Sequence, residues 1–574
     1  MAPLRRALVF IGFMGAGKST AAAEVAGEVG GEVLDTDRLL EARFGHSIAR
    51  EFELHGEAVF RAHEEELVCE LLAKAGTGGV IALGGGAVLS ERVREALAPH
   101  VTVLLDVDPA RAWDRVRAQA DKRPLARDPA AFASLHAERR ALYEGLADAI
   151  LPAERPSVAV RALPALRVLA AVRAMPGQLP VPVAPGGDRE GDRGGGGDGR
   201  NGGGLQGGGG DGKSDGGLQG GGGREGGWEV GHTRLLWATA ASGEYPVLVG
   251  AGLLGLVSQP GGWPLDRAAS RPFCVTDETV GELYADRLGE LAALIAIAPG
   301  EAHKTLACAE RVWRELAHAG MTRADHLVAL GGGVVGDLAG FCAATYQRGV
   351  PIVQVPTTLV AQVDSAYGGK TGVDLPEAKN YVGAYHQPAA VIVDPDTLRT
   401  LPAAELNAGW VEVLKTALIA GGELWERLAA DESVDERTIL ACARLKLAVV
   451  AEDERDSGRR QALNLGHTVG HAIETVTRYS RYRHGEAVGL GLLAALRLSG
   501  QEDLRAQVRG LLLAHGLPVT LEGAGVEDVV GAVSHDKKRL GAHTPFVLVG
   551  APGDVKVDCQ VSEGELRAAV AELV

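Results

Sequence analysis

Positive charge is in short supply in this chain. Its 574 residues hold 58 Lys and Arg against 74 Asp and Glu, a net charge of −16. That balance argues against a general nucleic-acid-binding role, which needs a basic face. Cysteine pairs are also missing: Cys69, Cys274, Cys308, Cys342, Cys442 and Cys559 stand far apart, with no CxxC spacing. Such thiols suit a reduced, cytoplasmic protein rather than a disulfide scaffold. No run of 18 apolar residues occurs, so no membrane span is expected. The apolar stretch after Arg5 and Arg6 is short, lacks a cleavage site and runs into a phosphate-binding motif, which argues against a signal peptide. The remaining composition, 46% hydrophobic and 23% charged, is that of a soluble globular protein.

Apolar residues all but vanish between 186 and 227, where the phrase GGLQGGGG occurs at 203–210 and again at 216–223. Glycine loses more backbone entropy on ordering than any other residue, and this stretch has little to bury in return. A flexible linker is therefore expected over 176–229, stiffer at its start, where Pro176, Pro180, Pro182 and Pro185 recur. About 40 Gly-rich residues have an r.m.s. span of roughly 35 Å, enough to tether two units without docking them. Residues 1–175 then form one domain and 230–574 a second. The second is long enough for two lobes, about 230–400 and about 401–574.

In the first domain, the apolar run Ala7–Ile11 leads into Gly12-Phe-Met-Gly15-Ala16-Gly17-Lys18-Ser19-Thr20 and an Ala-rich helical pattern. This is the complete G-x-x-x-x-G-K-[ST] loop in a strand–loop–helix context, and it binds a nucleotide. Its backbone N–H groups wrap phosphates, Lys18 supplies a cation, and Ser19 can ligate Mg²⁺ at a helix N-terminus. Downstream, Val33–Asp37 reads as a strand that ends with Asp35 and Asp37 on one face. One carboxylate could serve the metal and the other a substrate hydroxyl; equally, the two could be a solvated loop pair.

Gly45-His-Ser-Ile, Phe60-Arg61-Ala-His-Glu64, Gly84-Gly85-Gly86, Lys122-Arg123-Pro-Leu and Glu138-Arg139-Arg-Ala-Leu-Tyr143 follow in order. With the phosphate loop, this set resembles shikimate kinase across residues 5–170. The resemblance implies a five-stranded parallel P-loop fold that phosphorylates the 3-hydroxyl of shikimate with ATP and Mg²⁺. It implies that Gly15 to Thr20 and Arg123 hold ATP, that Asp37, Arg61, Gly84, Gly85, Gly86 and Arg139 hold shikimate, and that Lys18, Asp37 and the lid residue Arg123 are catalytic. Fork-shaped guanidinium groups suit a small carboxylate substrate, and Glu64 stands one turn from Arg61, where it can orient it. Two departures from the family pattern are an RPLA lid and Ala141 before Leu-Tyr. A kinase of another small hydroxy acid is the rival reading.

In the second domain, Glu244–Gly250 and Phe273–Asp277 read as strands. Another run, Ala324–Gly331, ends in Gly331-Gly332-Gly333-Val-Val-Gly336-Asp337. A glycine loop that starts a helix after a buried strand suits a pyrophosphate, although alone it could be a tight turn. Glu412 lies in a helical pattern, His467 and His471 are spaced i, i+4, and His484-Gly-Glu486 follows. A carboxylate plus imidazoles with one position open is the pattern of a catalytic Zn²⁺ site.

Pro299-Gly-Glu301-Ala-His-Lys304, GGGVVGDLAG, Thr345-Tyr-Gln-Arg348-Gly, Val355-Pro-Thr357-Thr358, Gln362–Thr371, Lys379-Asn380 and Asp536-Lys537-Lys538 extend the set. Together these resemble 3-dehydroquinate synthase from about 240 to 570. The resemblance implies a Rossmann-like α/β lobe followed by an all-helical lobe, with the active site between them. The implied reaction converts the seven-carbon phosphate DAHP to 3-dehydroquinate and phosphate through transient use of NAD⁺. Asp277, Glu301, Lys304, Gly332, Gly333, Asp337, Thr357, Thr358, Lys370 and Lys379 would hold NAD⁺. Glu412, His467 and His484 would hold Zn²⁺ or Co²⁺. Arg348, Asp364, Lys370, Asn380, Lys415, Lys446, Arg460, Asn464, His471 and Lys538 would surround DAHP, with Lys370, Lys415, Arg460 and His471 catalytic. Ala366-Tyr367 departs from the family pattern, and Tyr367 is expected to narrow the site.

Two other readings stay open: the second half as a metal- and NAD-dependent polyol dehydrogenase, or one half as a non-catalytic nucleotide-binding module. The resemblance also implies a homodimer through the synthase domain. Two further reaction steps separate dehydroquinate from shikimate, so chemistry gives no reason for the two sites to face each other. Two undocked halves are therefore expected.

Overall fold

The computed structural model describes residues 6–76, 78–117, 128–172, 233–259, 261–265, 270–430, 432–540 and 545–574, the side chains of 535–540 excepted. The linker expected at 176–229, the lid with Arg123, and the Lys538 side chain lie outside the described residues.

Five short strands build the first half: β1 (Leu8–Ile11), β2 (Val33–Asp35), β3 (Val80–Ala82), β4 (Val101–Asp106) and β5 (Ala149–Pro152). They are all parallel, in the order β2-β3-β1-β4-β5, the five-stranded sheet expected of a P-loop kinase. The reason is written in β1: LVFI is apolar at every position and buried at every position, as a strand covered on both faces must be. The helix Lys18–Val29 follows β1 directly and sets its N-terminus at the sheet's carboxyl edge.

The second half contributes β6 (Arg234–Thr239), β7 (Glu244–Val249), β8 (Pro272–Asp277), β9 (Ala293–Ile297), β10 (His326–Gly331), β11 (Ile352–Pro356), the hairpin β12 (Lys370–Leu375) and β13 (Ala378–Tyr385), and β14 (Ala390–Val393). Strands β7, β14, β11, β10, β8 and β9 run parallel in that order, and β6 pairs antiparallel with β7. From Ala403 onward the chain is mainly helical, with one exception to the all-helical expectation: β15 (Phe546–Ala551) and β16 (Asp554–Cys559) form a hairpin. The second strand, DVKVDC, alternates polar and apolar residues with a period of two rather than 3.6, and the first, FVLVGA, is apolar throughout. All six cysteines are free thiols. Among the described residues, no helix is long and apolar enough to cross a membrane.

The expectation of two undocked halves is corrected. Strand β5 pairs in parallel with β6, Ala149 against Leu235 and Ile150 against Leu236, so one twelve-stranded sheet runs through both halves. One apolar cluster continues from Leu8 and Leu151 to Leu235, Leu248 and Leu254. The physical reason is the β6 edge, whose unpaired backbone groups are a template for another strand. The linker's lack of apolar anchors said nothing about that edge.

Candidate active sites

The first site is built at the carboxyl ends of β1, β2 and β3. Gly12, Gly15 and Gly17 all take positive φ, which lets the loop turn its amides inward at the start of the helix. Lys18 donates from Nζ to the carbonyls of Gly12 and Phe13 at 2.9 and 3.2 Å, so its ammonium lies over the loop. Ser19 and Thr20 are exposed on the first turn, and Ala16 is buried. Arg115, which the sequence reading missed, donates to the Gly15 carbonyl at 3.0 Å.

The pair Asp35 and Asp37 departs from its expected arrangement. The strand stops at Asp35, which caps the helix Thr36–Phe44 by accepting from the Arg38 amide at 3.2 Å, while Asp37 sits in the first turn. Asp35 has a structural task, and Asp37 alone faces the site. The Gly84–Gly86 run explains its own composition. A Cβ on Gly84 would stand 2.6 Å from both Asp37 Oδ1 and Glu64 Oε1, and one on Gly86 would collide with the Arg61 guanidinium. Arg61 donates to Glu64 at 2.5 Å and to Glu57 at 3.2 Å. Burial raises the Glu64 carboxyl, and Arg61 opposes that rise. Tyr143 donates to the Gly85 carbonyl at 2.5 Å; burial raises its hydroxyl pKa, and the Arg139 charge opposes that rise. The structure therefore brings Asp37, Arg61, Gly84, Gly85, Gly86 and Arg139 together beside the phosphate loop.

The second site is a cleft of about 2380 Å³ between the α/β lobe and the helical lobe. Asp277, Glu301, Lys304, Gly332, Gly333, Asp337 and Thr358 line it on the side of the α/β lobe. Gly332 caps the helix Gly333–Thr345, and a Cβ there would lie 2.8 Å from Thr358 Cγ2. Lys304 donates to Asp337 at 2.9 Å and lies 3.5 Å from Glu301. Thr357 is buried, and its Oγ1 has no hydrogen-bond partner.

Three helices supply the candidate metal donors. Glu412 lies within Ala403–Ala420, His467 opens His467–Val476, and His484 opens His484–Leu498. Close packing makes this possible: a Cβ on Gly485 would collide with the Ala408 carbonyl, and one on Gly491 with that of Gly466. The three ligand atoms lie within 4.8 Å of one another. Glu412 Oε1 is 3.7 Å from His467 Nε2 and 3.5 Å from His484 Nε2, is buried, and has no hydrogen-bond partner. A buried carboxylate oxygen in want of a partner, facing two imidazoles, fits a divalent ion. Burial, helped by Lys415, pulls His467 down to about 3, so its ring is neutral and can ligate. Burial also pulls on His484, but the carboxylates of Glu412 and Glu474 beside it outweigh that and raise it to about 10.

Glu474 is a second residue the sequence reading missed. It is buried, accepts from His484 Nδ1 at 3.4 Å and lies 3.5 Å from Lys379. His471, Glu474 and His484 form an alternative donor group around the same imidazole. The i+7 spacing of Glu474 from His467 was the available signal.

Cations crowd another part of the cleft wall. Lys370 pairs with Asp456, Lys446 with Asp364, and Arg460 donates to the Glu454 and Gly368 carbonyls at 2.5 and 3.1 Å. Burial raises the Asp364 carboxyl, but Lys415 and Lys446 outweigh it and hold it at about 2. Asn380, Asn464 and His471 complete that wall. Two expected substrate residues stand elsewhere. Arg348 is exposed and does not line the cleft. Lys415 is 1% exposed behind it, bridging Asp364 at 2.9 Å and Glu412 at 2.5 Å. Tyr367 stands in the wall of the cleft, 1% exposed, with its hydroxyl turned to the Gln362 carbonyl at 2.6 Å.

Fold and sites together define a two-centre enzyme, a P-loop phosphotransferase joined to an α/β–helical enzyme with a nucleotide loop and a metal donor set. Family comparison names both halves. The shikimate kinase model matches residues 14–167, and the N- and C-terminal models of 3-dehydroquinate synthase match 294–408 and 409–539. The chain belongs to the 3-dehydroquinate synthase family in its second half and carries a shikimate kinase domain before it, which makes it a bifunctional enzyme of the shikimate pathway. It is 41% identical over 359 residues to the 3-dehydroquinate synthase of Halorhodospira halophila, 59% of this chain and 100% of that one. To the Enterococcus faecalis enzyme it is 42% identical over 316 residues, 52% of this chain and 88% of that one. Among solved structures, the 2-epi-5-epi-valiolone synthase of Streptomyces hygroscopicus with NAD⁺ and Zn²⁺ bound is similar at 26% identity and a TM-score of 0.53, covering 57% of this chain and 96% of that one. A 2-deoxy-scyllo-inosose synthase with carbaglucose-6-phosphate, NAD⁺ and Co²⁺ is similar at 25% identity and a TM-score of 0.53, covering 59% and 100%.

Proposed function

We propose that the first site transfers a phosphoryl group from ATP to the 3-hydroxyl of shikimate, and that the second converts DAHP to 3-dehydroquinate and phosphate. One observation carries the second assignment: a single cleft holds the Glu412–His467–His484 donor set together with Lys370, Lys446 and Arg460. A polyol dehydrogenase has no need of that cation cluster, whereas a substrate bearing both phosphate and carboxylate does. When bound, ATP with Mg²⁺ supplies the phosphoryl donor, and NAD⁺ with Zn²⁺ or Co²⁺ supplies a hydride acceptor and a Lewis acid.

In the kinase half, Lys18 would meet the phosphates and Ser19 would ligate Mg²⁺. Arg61, held by Glu64 and Glu57, and Arg139 grip the shikimate carboxylate. Asp37 accepts the hydroxyl proton at a carboxylate oxygen, and Arg123 neutralises charge on the transferring group. In the synthase half, Glu412, His467 and His484 would hold the ion. Asp277, Glu301, Lys304, Gly332, Gly333, Asp337, Thr357, Thr358 and Lys379 hold the dinucleotide. Lys370, Asn380, Lys446, Arg460 and Asn464 orient the phosphate and carboxylate. His471, whose pKa burial lowers, is neutral and can exchange a proton at a ring nitrogen. Lys415 is a positioning residue that fixes Glu412 and Asp364 from behind.

We further propose a cytoplasmic homodimer that joins through the synthase half and binds neither nucleic acid nor membrane; the free thiols suit the cytoplasm, and the net charge of −16 argues against a nucleic-acid partner. The test is a pair of assays on the purified chain: phosphate release from DAHP with NAD⁺, and ADP release from ATP with shikimate. Absence of either activity in folded protein overturns the corresponding half of the assignment.

A further inference from the structure

The contact between the two halves is built with a specificity that a tether does not require. At its centre, Leu235 of β6 donates to the Asp148 carbonyl at 2.7 Å, at the start of the β5–β6 ladder. Beside it, the Arg234 guanidinium donates to the carbonyls of Ala147 and Gly145 and stands 3.5 Å from the Asp148 carboxylate. Those two carbonyls close the helix Pro129–Leu146, so Arg234 places a cation at the negative end of a helix dipole. Arg234 is 9% exposed and Asp148 1%, so this pair is sealed from water.

One turn further along, Arg444 forks onto Glu144 with bonds of 2.8 and 2.6 Å. A bidentate guanidinium–carboxylate pair has a direction as well as a charge, and it rejects other registers. At the other flank the signs are exchanged. Arg161 and Arg155 of the kinase half lie 2.9 and 3.8 Å from Glu244 of the synthase half, which also accepts from Trp237. Cations of the synthase half thus meet anions of the kinase half at two places, and the reverse holds at a third. Such crossed pairing admits one orientation and penalises the rest.

We propose that β6 and the helix Glu436–Glu452 form a docking surface for the kinase half of this same chain, held by strand addition and oriented by the Glu144–Arg444 fork, independently of the covalent linker. The docked kinase covers the β6 edge, so two synthase halves cannot pair through β6, and a homodimer must use another face. The fork also lies between elements of both sites: Glu144 follows Tyr143, and Arg444 precedes Lys446 by two residues.

A specific protease sequence inserted after Gly210 in the full-length chain makes the test direct. After cleavage, the two fragments are expected to co-elute on size exclusion at micromolar concentration. Glu144→Arg or Arg444→Glu alone should weaken their association at least tenfold, and the double reversal should return it to within about threefold of wild type. The unsubstituted chain serves even if a reversal fails to fold. Fragments of the cut wild-type chain that elute apart, each active, would overturn the proposal. So would a synthase fragment that self-associates through β6, and so would single reversals that leave association unchanged.

Discussion

Replacing Gly86 by Ala puts a methyl group where the Arg61 guanidinium now lies, so the guanidinium must move. Arg61 is held there by a 2.5 Å bond to Glu64, which is 2% exposed, and by Glu57 at 3.2 Å. Displacing it removes a fork-shaped donor from the shikimate carboxylate and leaves Glu64 buried without its counter-charge. A hydrogen bond to a charged group contributes about 1.5–3 kcal/mol. At about 1.4 kcal/mol per factor of ten, the Michaelis constant for shikimate should rise about 10- to 100-fold. The constant for ATP should stay within about twofold, because the phosphate loop lies on the other side of Gly85. ADP release is followed against shikimate at saturating ATP, with phosphate release from DAHP measured on the same preparation. Arg61→Ala should give a similar rise if the guanidinium is the cause. A Gly86→Ala protein that is folded, with an unchanged constant for shikimate, would refute the reasoning; so would an equal loss of synthase turnover.

Lys18→Ala should abolish shikimate phosphorylation and leave DAHP turnover near wild type; parallel loss of both in folded protein would contradict separate sites. Chelation should stop the synthase, and Glu412→Gln should purify without a stoichiometric divalent ion; full synthase activity in metal-free protein would sink the donor-set assignment. Gly485→Ala should cost about 1–3 kcal/mol through overpacking against the Ala408 carbonyl and loosen the ion by shifting His484, read as a lower melting temperature and metal content. Burial raises the Glu144 carboxyl from 4.5, but Arg444 and Arg140 outweigh it and hold it at about 2. A depressed carboxyl stabilises the fold fully above its unfolded value and loses that contribution as pH falls towards about 2. The melting-point gap between wild type and Glu144→Gln should therefore stay constant from about pH 7 to 5 and close between about 4.5 and 2; a gap that widens on acidification contradicts the pairing.

Several features of this protein were legible because they are local. A phosphate loop is one contiguous turn between a strand and a helix, so Gly12 to Ser19 carry its geometry in their order. The glycine run at 84–86 was visible, but its reason, the packing of Asp37, Glu64 and Arg61 against it, was not. Asp35 read as a second site carboxylate because its side chain can either face a substrate or cap a helix, and only the strand's end at that residue decides. Glu412, His467 and His484 were found by residue type and resemblance. Their convergence within 4.8 Å depends on three helices packing through glycines with no room for a side chain. Lys415 and Arg348 carried charges suited to a phosphate, yet one is buried behind the cleft and the other is exposed away from it.

By itself the sequence determined that the chain carries two catalytic units separated by a glycine-rich stretch, because hydrophobic periodicity and loop motifs act over a few residues. Only the tertiary structure decided that those units share one sheet. A strand edge will pair with any strand of suitable register, and the choice of β5 for β6 rests on Arg234, Asp148, Glu144 and Arg444, whose meeting across 86 to 300 positions of chain no local pattern encodes.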